Sequence, residues 1–238
     1  MSTFASSVRA LLPAGALLSM ALAGSTAWAA SQTEGFEAVP VAGWTTVNNS
    51  TTVGLSGWFQ GSAGVFSAQA GSAGSYIAAN YNNTTGANAT ISNWFISPTL
   101  SFNNGDVVSF FTRTVDRPSY PDRLELRFSS VGGTNVGATP LSVGTFALLL
   151  SVNPTLTTTG YPSTWTQFSS AISGLSGPTN ASIAFRYFVT SGGPGGLNSD
   201  YIGIDTLRIT PVPEPAAYLM LALGLSVIAL RRLSARQA

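Results

Sequence analysis

Carboxylates are the only acid–base side chains with which this chain could carry out catalysis at neutral pH. Its 238 residues include nine acidic and ten basic side chains, with no histidine and no cysteine, and every basic residue is an arginine. This composition excludes histidine-based triads, thiolate nucleophiles and Cys/His zinc sites. The lack of lysine excludes Schiff-base chemistry and a phosphate-loop lysine. The chemistry that stays open is that of paired carboxyl groups, as in glycoside hydrolysis.

Two groups of carboxylates lie close together in the sequence: Asp116, Asp122 and Glu125, and then Asp200 and Asp205. A glycosidase needs two carboxyl groups about 5–9 Å apart across a sugar-sized cleft, and nothing in the sequence indicates such a pair. The arginines that directly follow Asp116 and Asp122 favour ion pairs that order the local loop. We therefore predict a non-enzymatic protein without catalytic residues, and a carboxylate-dependent glycoside hydrolase is the second alternative.

A structural calcium ion is another use for acidic side chains, because calcium takes oxygen ligands from carboxylates and backbone carbonyls. Glu37 lies near the first predicted strand and Asp205 in the last, and Asp200 is a third candidate. The chain has no contiguous Asp-rich calcium loop. Hydrogen bonds to backbone amides, or to an arginine such as Arg186, are the alternative role for Glu37 and Asp205. The sequence predicts no other cofactor, and it leaves open whether the protein binds a structural calcium ion.

Exposed aromatic rings are candidates for contact with sugars. The chain has five Trp, 13 Phe and seven Tyr, and most aromatic side chains of a β-sandwich belong to its core. Trp94 lies in an apolar stretch, so we expect it in the core. Trp58, Phe59 and Tyr120 have small, polar or turn-forming neighbours, so we expect them to be exposed and take them as candidate glycan contacts. A carbohydrate-binding module that contacts exopolysaccharide is the first alternative function.

The stretch that must position these side chains shows the two-residue periodicity of β-strands. Apolar and polar residues alternate in 107–113, 183–189 and 124–128, and we interpret the last of these as a half-buried strand. In 201–209 the alternation slips near Asp205, which predicts a bulge in that strand. The pattern of 145–152 fits either a helix or a buried strand. Turn-forming segments separate these runs. We predict an all-β, jelly-roll-like β-sandwich over residues 30–210.

Residues 1–29 have the pattern of a secretory signal peptide. Arg9 supplies the positive charge, residues 11–23 form a short apolar stretch, and Ala27 and Ala29 are the small residues expected before a cleavage site. The alternative, an N-terminal membrane anchor, normally needs a longer apolar span. We therefore expect secretion through the inner membrane and removal of this segment.

Residues 211–238 contain three parts in order. The segment Val212-Pro213-Glu214-Pro215 is extended because its prolines disfavour a helix. Residues 216–230 are almost entirely apolar, and Arg231 and Arg232 end the run. A helix of that length spans about 22 Å, which is short of the bilayer core of about 30 Å. We therefore expect transient insertion into the inner membrane.

This tail resembles the PEP-CTERM sorting signal, in which Pro-Glu-Pro, a short apolar helix and an arginine cluster follow one another. The resemblance implies processing by an exosortase, a membrane transpeptidase-like enzyme, in Gram-negative bacteria that make exopolysaccharide. It implies a protein that is membrane-associated before processing and then resides at the cell surface or in the extracellular matrix. An ordinary membrane anchor with a chance Pro-Glu-Pro is the alternative.

A second resemblance covers nearly the whole body. Its most specific segments are 184–189 (Ala-Phe-Arg-Tyr-Phe-Val) and 198–205 (Asn-Ser-Asp-Tyr-Ile-Gly-Ile-Asp), supported by 36–37, 94–98, 120–127 and 160–165. These segments are similar to the choice-of-anchor J family, which looks like a distant relative of the cleaved adhesin domains of surface proteases. The resemblance implies a jelly-roll sandwich and a surface location, and it implies no catalytic activity.

The charge of the chain restricts its partners. The formal net charge is +1, and residues 30–210 carry six Arg against eight acidic residues, a net of −2. Neither value suits binding to nucleic acid. We therefore predict an exported cell-surface or matrix protein with a structural or adhesive role, processed by an exosortase, with exopolysaccharide as a further candidate partner.

Overall fold

The structure is a computed structural model that describes residues 31–212 and 220–228. The predicted cleavage residues Ala27 and Ala29 lie outside the described residues, as do Pro213, Glu214, Pro215, Arg231 and Arg232 of the predicted sorting signal. Residues 220–228 are helical. Within the described ranges, no helix has both the length and the apolar character needed to cross a membrane.

Residues 31–212 contain twelve strands and one 3₁₀ turn. In chain order the strands are β1 (Gln32–Glu34), β2 (Thr45–Asn48), β3 (Phe59–Gln60), β4 (Ile77–Asn80), β5 (Ala89–Ile96), β6 (Leu100–Phe102), β7 (Val107–Thr114), β8 (Leu124–Ser129), β9 (Ala147–Val152), β10 (Thr166–Ala171), β11 (Thr179–Gly192) and β12 (Tyr201–Thr210), and the 3₁₀ turn (Tyr81–Asn83) follows β4. The ambiguous segment 145–152 therefore contains a strand, β9.

Two six-stranded antiparallel sheets make up the sandwich. The first has the order β10-β7-β12-β4-β3, with β1 also paired to β12. The second has the order β2-β5-β11-β8-β9, with β6 also paired to β11. The predicted all-β, jelly-roll-like β-sandwich is confirmed.

The main core lies between the sheets and is rich in aromatic rings. Phe110 of β7 and Phe185 of β11 meet edge to face with their ring centroids 4.8 Å apart, which joins the two sheets. Phe95 stacks on Trp44 at 4.3 Å between centroids. Such contacts replace the crosslinks that this cysteine-free chain lacks.

The outer face of the second sheet is also covered, which corrects the prediction of a half-buried strand at 124–128. All six residues of β8 are buried. Val136 and Phe146, from the long connection between β8 and β9, pack on Trp94 and Ala184 of this outer face. Because that connection folds back over the sheet, the polar residues of β8 lose their access to solvent.

The bulge predicted in the last strand is confirmed. The register of β12 against β7 shifts between Asp205 and Arg208, and Thr206 has a positive φ of 47°. The extra residue turns Asp205 out of the regular alternation, so that its carboxylate reaches the loop at residues 69–70.

Candidate functional site

A pocket of about 350 Å³ lies where three connections meet. Tyr81 comes from the turn after β4, and Arg117 and Tyr120 come from the connection between β7 and β8. Asp200 and residues 193–199 come from the connection between β11 and β12. Its volume falls near the lower end of the range of small-molecule sites, about 300–1,000 Å³.

A buried carboxyl group beneath this pocket holds its loops. Asp122 is fully buried, and its Oδ1 accepts hydrogen bonds from the backbone N–H of Asp200 at 2.8 Å and from the Tyr187 hydroxyl. Its Oδ2 accepts one from the Thr114 hydroxyl at 2.8 Å. Burial raises the pKa of Asp122 to about 6, although these hydrogen bonds oppose that shift.

Backbone hydrogen bonds tie the three connections to one another. Tyr81 donates its N–H to the carbonyl of Asp200 at 3.0 Å, and Ser199 donates its N–H to the carbonyl of Pro121 at 2.9 Å. The Ser199 hydroxyl in turn accepts a hydrogen bond from the N–H of Gly193 at 2.9 Å. The pocket wall therefore has a defined shape before any ligand arrives.

Non-glycine residues with positive φ are found in two of these connections. Arg117 has φ of 51° and Ser199 has φ of 76°, a region that costs a non-glycine residue of order 1–3 kcal/mol. Such conformations persist where the surrounding structure determines them, and they concentrate at functional sites. For Ser199, its own hydrogen bonds and those of the adjoining Asp200 supply that restraint.

The groups that line the pocket suit a polar ligand with an apolar face. Tyr81 is 40% exposed and Tyr120 is 47% exposed, so both rings are accessible. Among the described residues, the Arg117 guanidinium and the Asp200 carboxylate have neither a hydrogen-bond partner nor an ion-pair partner. Both groups are therefore free to bond a ligand. Partial burial raises the pKa of Asp200.

Of the three predicted glycan contacts, only Tyr120 lies in this pocket. The expectation that Trp58 is exposed is wrong, because this side chain is 7% exposed and packs on Phe95 at 6.0 Å between ring centroids. Phe59 is half-buried and contacts Tyr201 edge to face. The small residues around Trp58 allow the backbone to pack close to the core. There the side-chain amide of Asn83 donates a hydrogen bond of 2.9 Å to the carbonyl of Gly57, which precedes Trp58.

The predicted calcium ligands fall into two places. Glu37 is exposed, and its Oε1 lies so close to Gly71 that a Cβ atom there would collide with it. Asp205 Oδ2 accepts hydrogen bonds from the backbone N–H groups of Gln69 at 2.7 Å and Ala70 at 3.1 Å. Glu37 and Asp205 thus approach the same loop, whereas Asp200 lies in the pocket.

The carboxylate oxygens of Glu37 and Asp205 are the hard ligands that calcium prefers. Within residues 31–212 and 220–228, however, no three His, Cys, Asp or Glu side chains are grouped closely enough to hold a metal ion. The backbone amides that the sequence offered as the alternative partner of Asp205 are present. Calcium therefore stays one of the two alternatives that the sequence left open for Glu37 and Asp205.

Among the described residues, Glu125 is the one acidic side chain that forms ion pairs with arginine. Glu125 Oε2 accepts from Arg127 Nε at 2.7 Å and from Arg186 Nη1 at 3.2 Å. Arg186 is stacked on Phe188, 3.7 Å from its ring centroid. The ion pair predicted for Asp122 and the arginine that follows it is wrong, because Asp122 turns inward to hydroxyl and amide donors; in the described part of the chain Asp116 has no arginine partner either.

Sequence reasoning missed Tyr81, Arg117 and Asp200 as members of one pocket. Tyr81 and Asp200 are separated by more than a hundred residues, and the pairing of β4 with β12 brings them together. A signal was available for Tyr81, a large aromatic residue within an Asn-rich turn. Nothing in the sequence indicated that Arg117 would lack an acidic partner in the part of the chain that the structure describes.

Comparison with known proteins identifies the fold. No protein-family model and no curated protein matches the chain. Among solved structures, the K1 cleaved adhesin domain of Lys-gingipain from Porphyromonas gingivalis W83 is similar, with a TM-score of 0.54 and 22% identity over 78% of this chain and 100% of that one. The K2 cleaved adhesin domain of Lys-gingipain has a TM-score of 0.51 and 19% identity over 76% and 99%.

A family 11 carbohydrate-binding module from Clostridium thermocellum, solved with a β-1,3-1,4-mixed-linked tetrasaccharide, has a TM-score of 0.42. It is 15% identical over 77% of this chain and 97% of that one. At these identities the two adhesin domains show that the β-sandwich fold is shared. The binding site of this protein must be argued from its own residues.

Proposed function

We propose that the protein is an exported, non-enzymatic adhesive domain that binds saccharides through the pocket lined by Tyr81, Arg117, Tyr120 and Asp200. The observation that carries the proposal is that two exposed tyrosine rings lie in the same cleft as a guanidinium and a carboxylate that have no partner among the described residues. Aromatic faces pack on the C–H groups of a sugar ring, while charged groups bond its hydroxyls. A saccharide presents both surfaces at once.

An adhesive role is in keeping with the sandwich that this chain shares with two domains named as cleaved adhesin domains. A hydrolytic role has less support. Asp122, the carboxyl group nearest in the hydrogen-bond network to Asp200, has no exposed surface, so it does not reach a substrate. The pocket has the groups for binding and lacks a second accessible carboxyl group opposite Asp200 among its lining residues.

The delivery of this domain is part of the same proposal. A signal peptide cleaved after Ala29 or Ala30 exports the chain through the inner membrane, and the tail from Val212 to Arg232 holds it there until an exosortase removes it. The mature domain then resides at the cell surface or in the extracellular matrix, where exopolysaccharide is the ligand. The order of motifs in the sequence supports this route.

Glycan-array binding of the full chain tests the pocket. We expect Tyr120→Ala to lower saccharide affinity by about tenfold, because loss of an aromatic ring that contacts a ligand commonly costs more than about 1 kcal/mol. Leu148→Ala is the matched control, since Leu148 is a similarly exposed apolar residue on β9, which does not line the pocket. Saccharide binding that survives Tyr120→Ala and Tyr81→Ala unchanged would overturn the proposal.

A further inference from the structure

We infer that this pocket selects neutral, hydroxyl-rich sugar units over uronic-acid or sulfated ones, and that Asp200 sets this selectivity. The inference rests on the proposed saccharide binding and adds the chemical class of the ligand. It follows from the charges of Arg117 and Asp200, which have no partner within residues 31–212 and 220–228, and from the backbone hydrogen bonds that hold Asp200.

The charges of Arg117 and Asp200 cancel within the pocket. Arg117 is exposed and Asp200 partly exposed, so solvent and ligand reach both charged groups. Neither pairs with another described side chain, so each presents its charge to the ligand.

For an acidic ligand, repulsion from Asp200 would offset the attraction to Arg117. A uronate or sulfate group that bonded to Arg117 would share a pocket of about 350 Å³ with the Asp200 carboxylate. The two negative charges would repel each other. A neutral diol has no such conflict. One hydroxyl group donates to the Asp200 carboxylate, and a neighbouring oxygen accepts from the Arg117 guanidinium.

The backbone of Asp200 holds its side chain at the pocket. Its N–H donates to Asp122 Oδ1 at 2.8 Å, and its carbonyl accepts from Tyr81 N–H at 3.0 Å. These bonds use main-chain atoms of Asp200, so replacing its carboxylate by an amide leaves them in place. Asp200→Asn therefore changes the charge of the pocket from zero to +1 while keeping its shape.

The test is a glycan array with matched neutral, uronic-acid and sulfated oligosaccharides, probed with the full chain. We expect wild type to bind neutral members at least tenfold more tightly than their acidic counterparts. Asp200→Asn should weaken neutral binding and raise binding of acidic members, so that the ratio falls by tenfold or more. Arg117→Gln is the control of opposite charge, and it should weaken neutral binding while leaving acidic members unbound.

Two results would overturn the inference while saccharide binding itself stands: a wild type that prefers acidic members, or a neutral-to-acidic ratio that Asp200→Asn does not change. A chain that binds no member of the array overturns the proposed function, and the inference with it. The thermal midpoint of each variant, measured by circular dichroism, shows that a changed ratio comes from the pocket rather than from unfolding.

Discussion

Asp122 and Asp200 are joined by a hydrogen bond of 2.8 Å from the backbone N–H of Asp200 to the carboxylate of Asp122. Asp122 is fully buried, whereas Asp200 lines the pocket. A carboxyl group of the core therefore fixes the position of a loop that would contact a ligand. This arrangement links the protonation of a core residue to the stability of the site.

The pH dependence of folding should show the titration of Asp122. Burial raises its pKa in the folded state to about 6 from 3.8, so folding favours the protonated form. The stability that this group contributes is fully present below about pH 4 and is lost as the pH rises through about 6. At about 1.4 kcal/mol per pH unit, the loss is about 3 kcal/mol.

Urea denaturation of wild type and Asp122→Asn between pH 4 and pH 8 measures this loss. The difference between their free energies of unfolding, wild type minus variant, should fall by about 3 kcal/mol over that range. Burial also raises the pKa values of Asp200 and Asp205, but both groups are present in the two proteins and cancel in the difference. A difference that does not change with pH contradicts the assignment.

Trp58 and Tyr120 should separate stability from binding. Trp58→Ala removes a large ring from the core and should cost about 3–5 kcal/mol of folding free energy, with saccharide affinity per folded molecule unchanged. Tyr120→Ala alters an exposed ring and should change stability by less than about 0.5 kcal/mol, with loss of affinity. Chemical denaturation gives the free energy of unfolding of each variant, and the glycan array gives its saccharide affinity. Loss of affinity in Trp58→Ala without loss of stability would make Trp58 a ligand contact again.

Glu125→Gln should strongly destabilise the fold. Its carboxylate is the only anionic partner of Arg127 and Arg186 in the described part of the chain, and burial already lowers the pKa of Arg186 to about 10. Removal of one partner from a buried ion pair commonly costs about 3–5 kcal/mol. Asp116→Asn, at an exposed acid, is the control and should lie within about 0.5 kcal/mol of wild type.

Calcium should raise the thermal midpoint if Glu37 and Asp205 bind it together with oxygens of the loop at residues 69–71. A ligand that binds only the folded state stabilises it in proportion to the logarithm of its concentration over Kd. Calcium bound by these ligands would raise the midpoint by several degrees at millimolar concentration, and Glu37→Gln would abolish that rise. A shift below about one degree would argue against a calcium site.

The mature protein should lack the end of its sequence. We expect intact-mass measurement of protein from the cell surface or matrix to show a chain that begins after Ala29 or Ala30 and ends near Pro215. The comparison is the same protein from cells without an exosortase, which should keep Arg231 and Arg232. Detection of these two arginines in surface material from wild-type cells contradicts the sorting proposal.

The sequence alone determined the fold class, because that depends on local patterns. Two-residue alternation in segments such as 107–113 and 183–189, separated by turn-forming residues, was sufficient to predict a β-sandwich. The slip near Asp205 even predicted the bulge of the last strand, because one extra residue inverts the alternation. The predictions for both termini are also local, and residues 1–30, 213–219 and 229–238 of these segments lie outside the described residues.

Tertiary structure decided the candidate site, because its parts come from distant segments. The pairing of β4 with β12 places Tyr81 beside Asp200, and no local pattern contains that information. Burial was equally non-local: the connection after β8 covers Glu125, and the chain folds Trp58 into the core although its neighbours are small. Local alternation shows which face a strand turns to the main core, whereas only the packed chain shows what covers the other face.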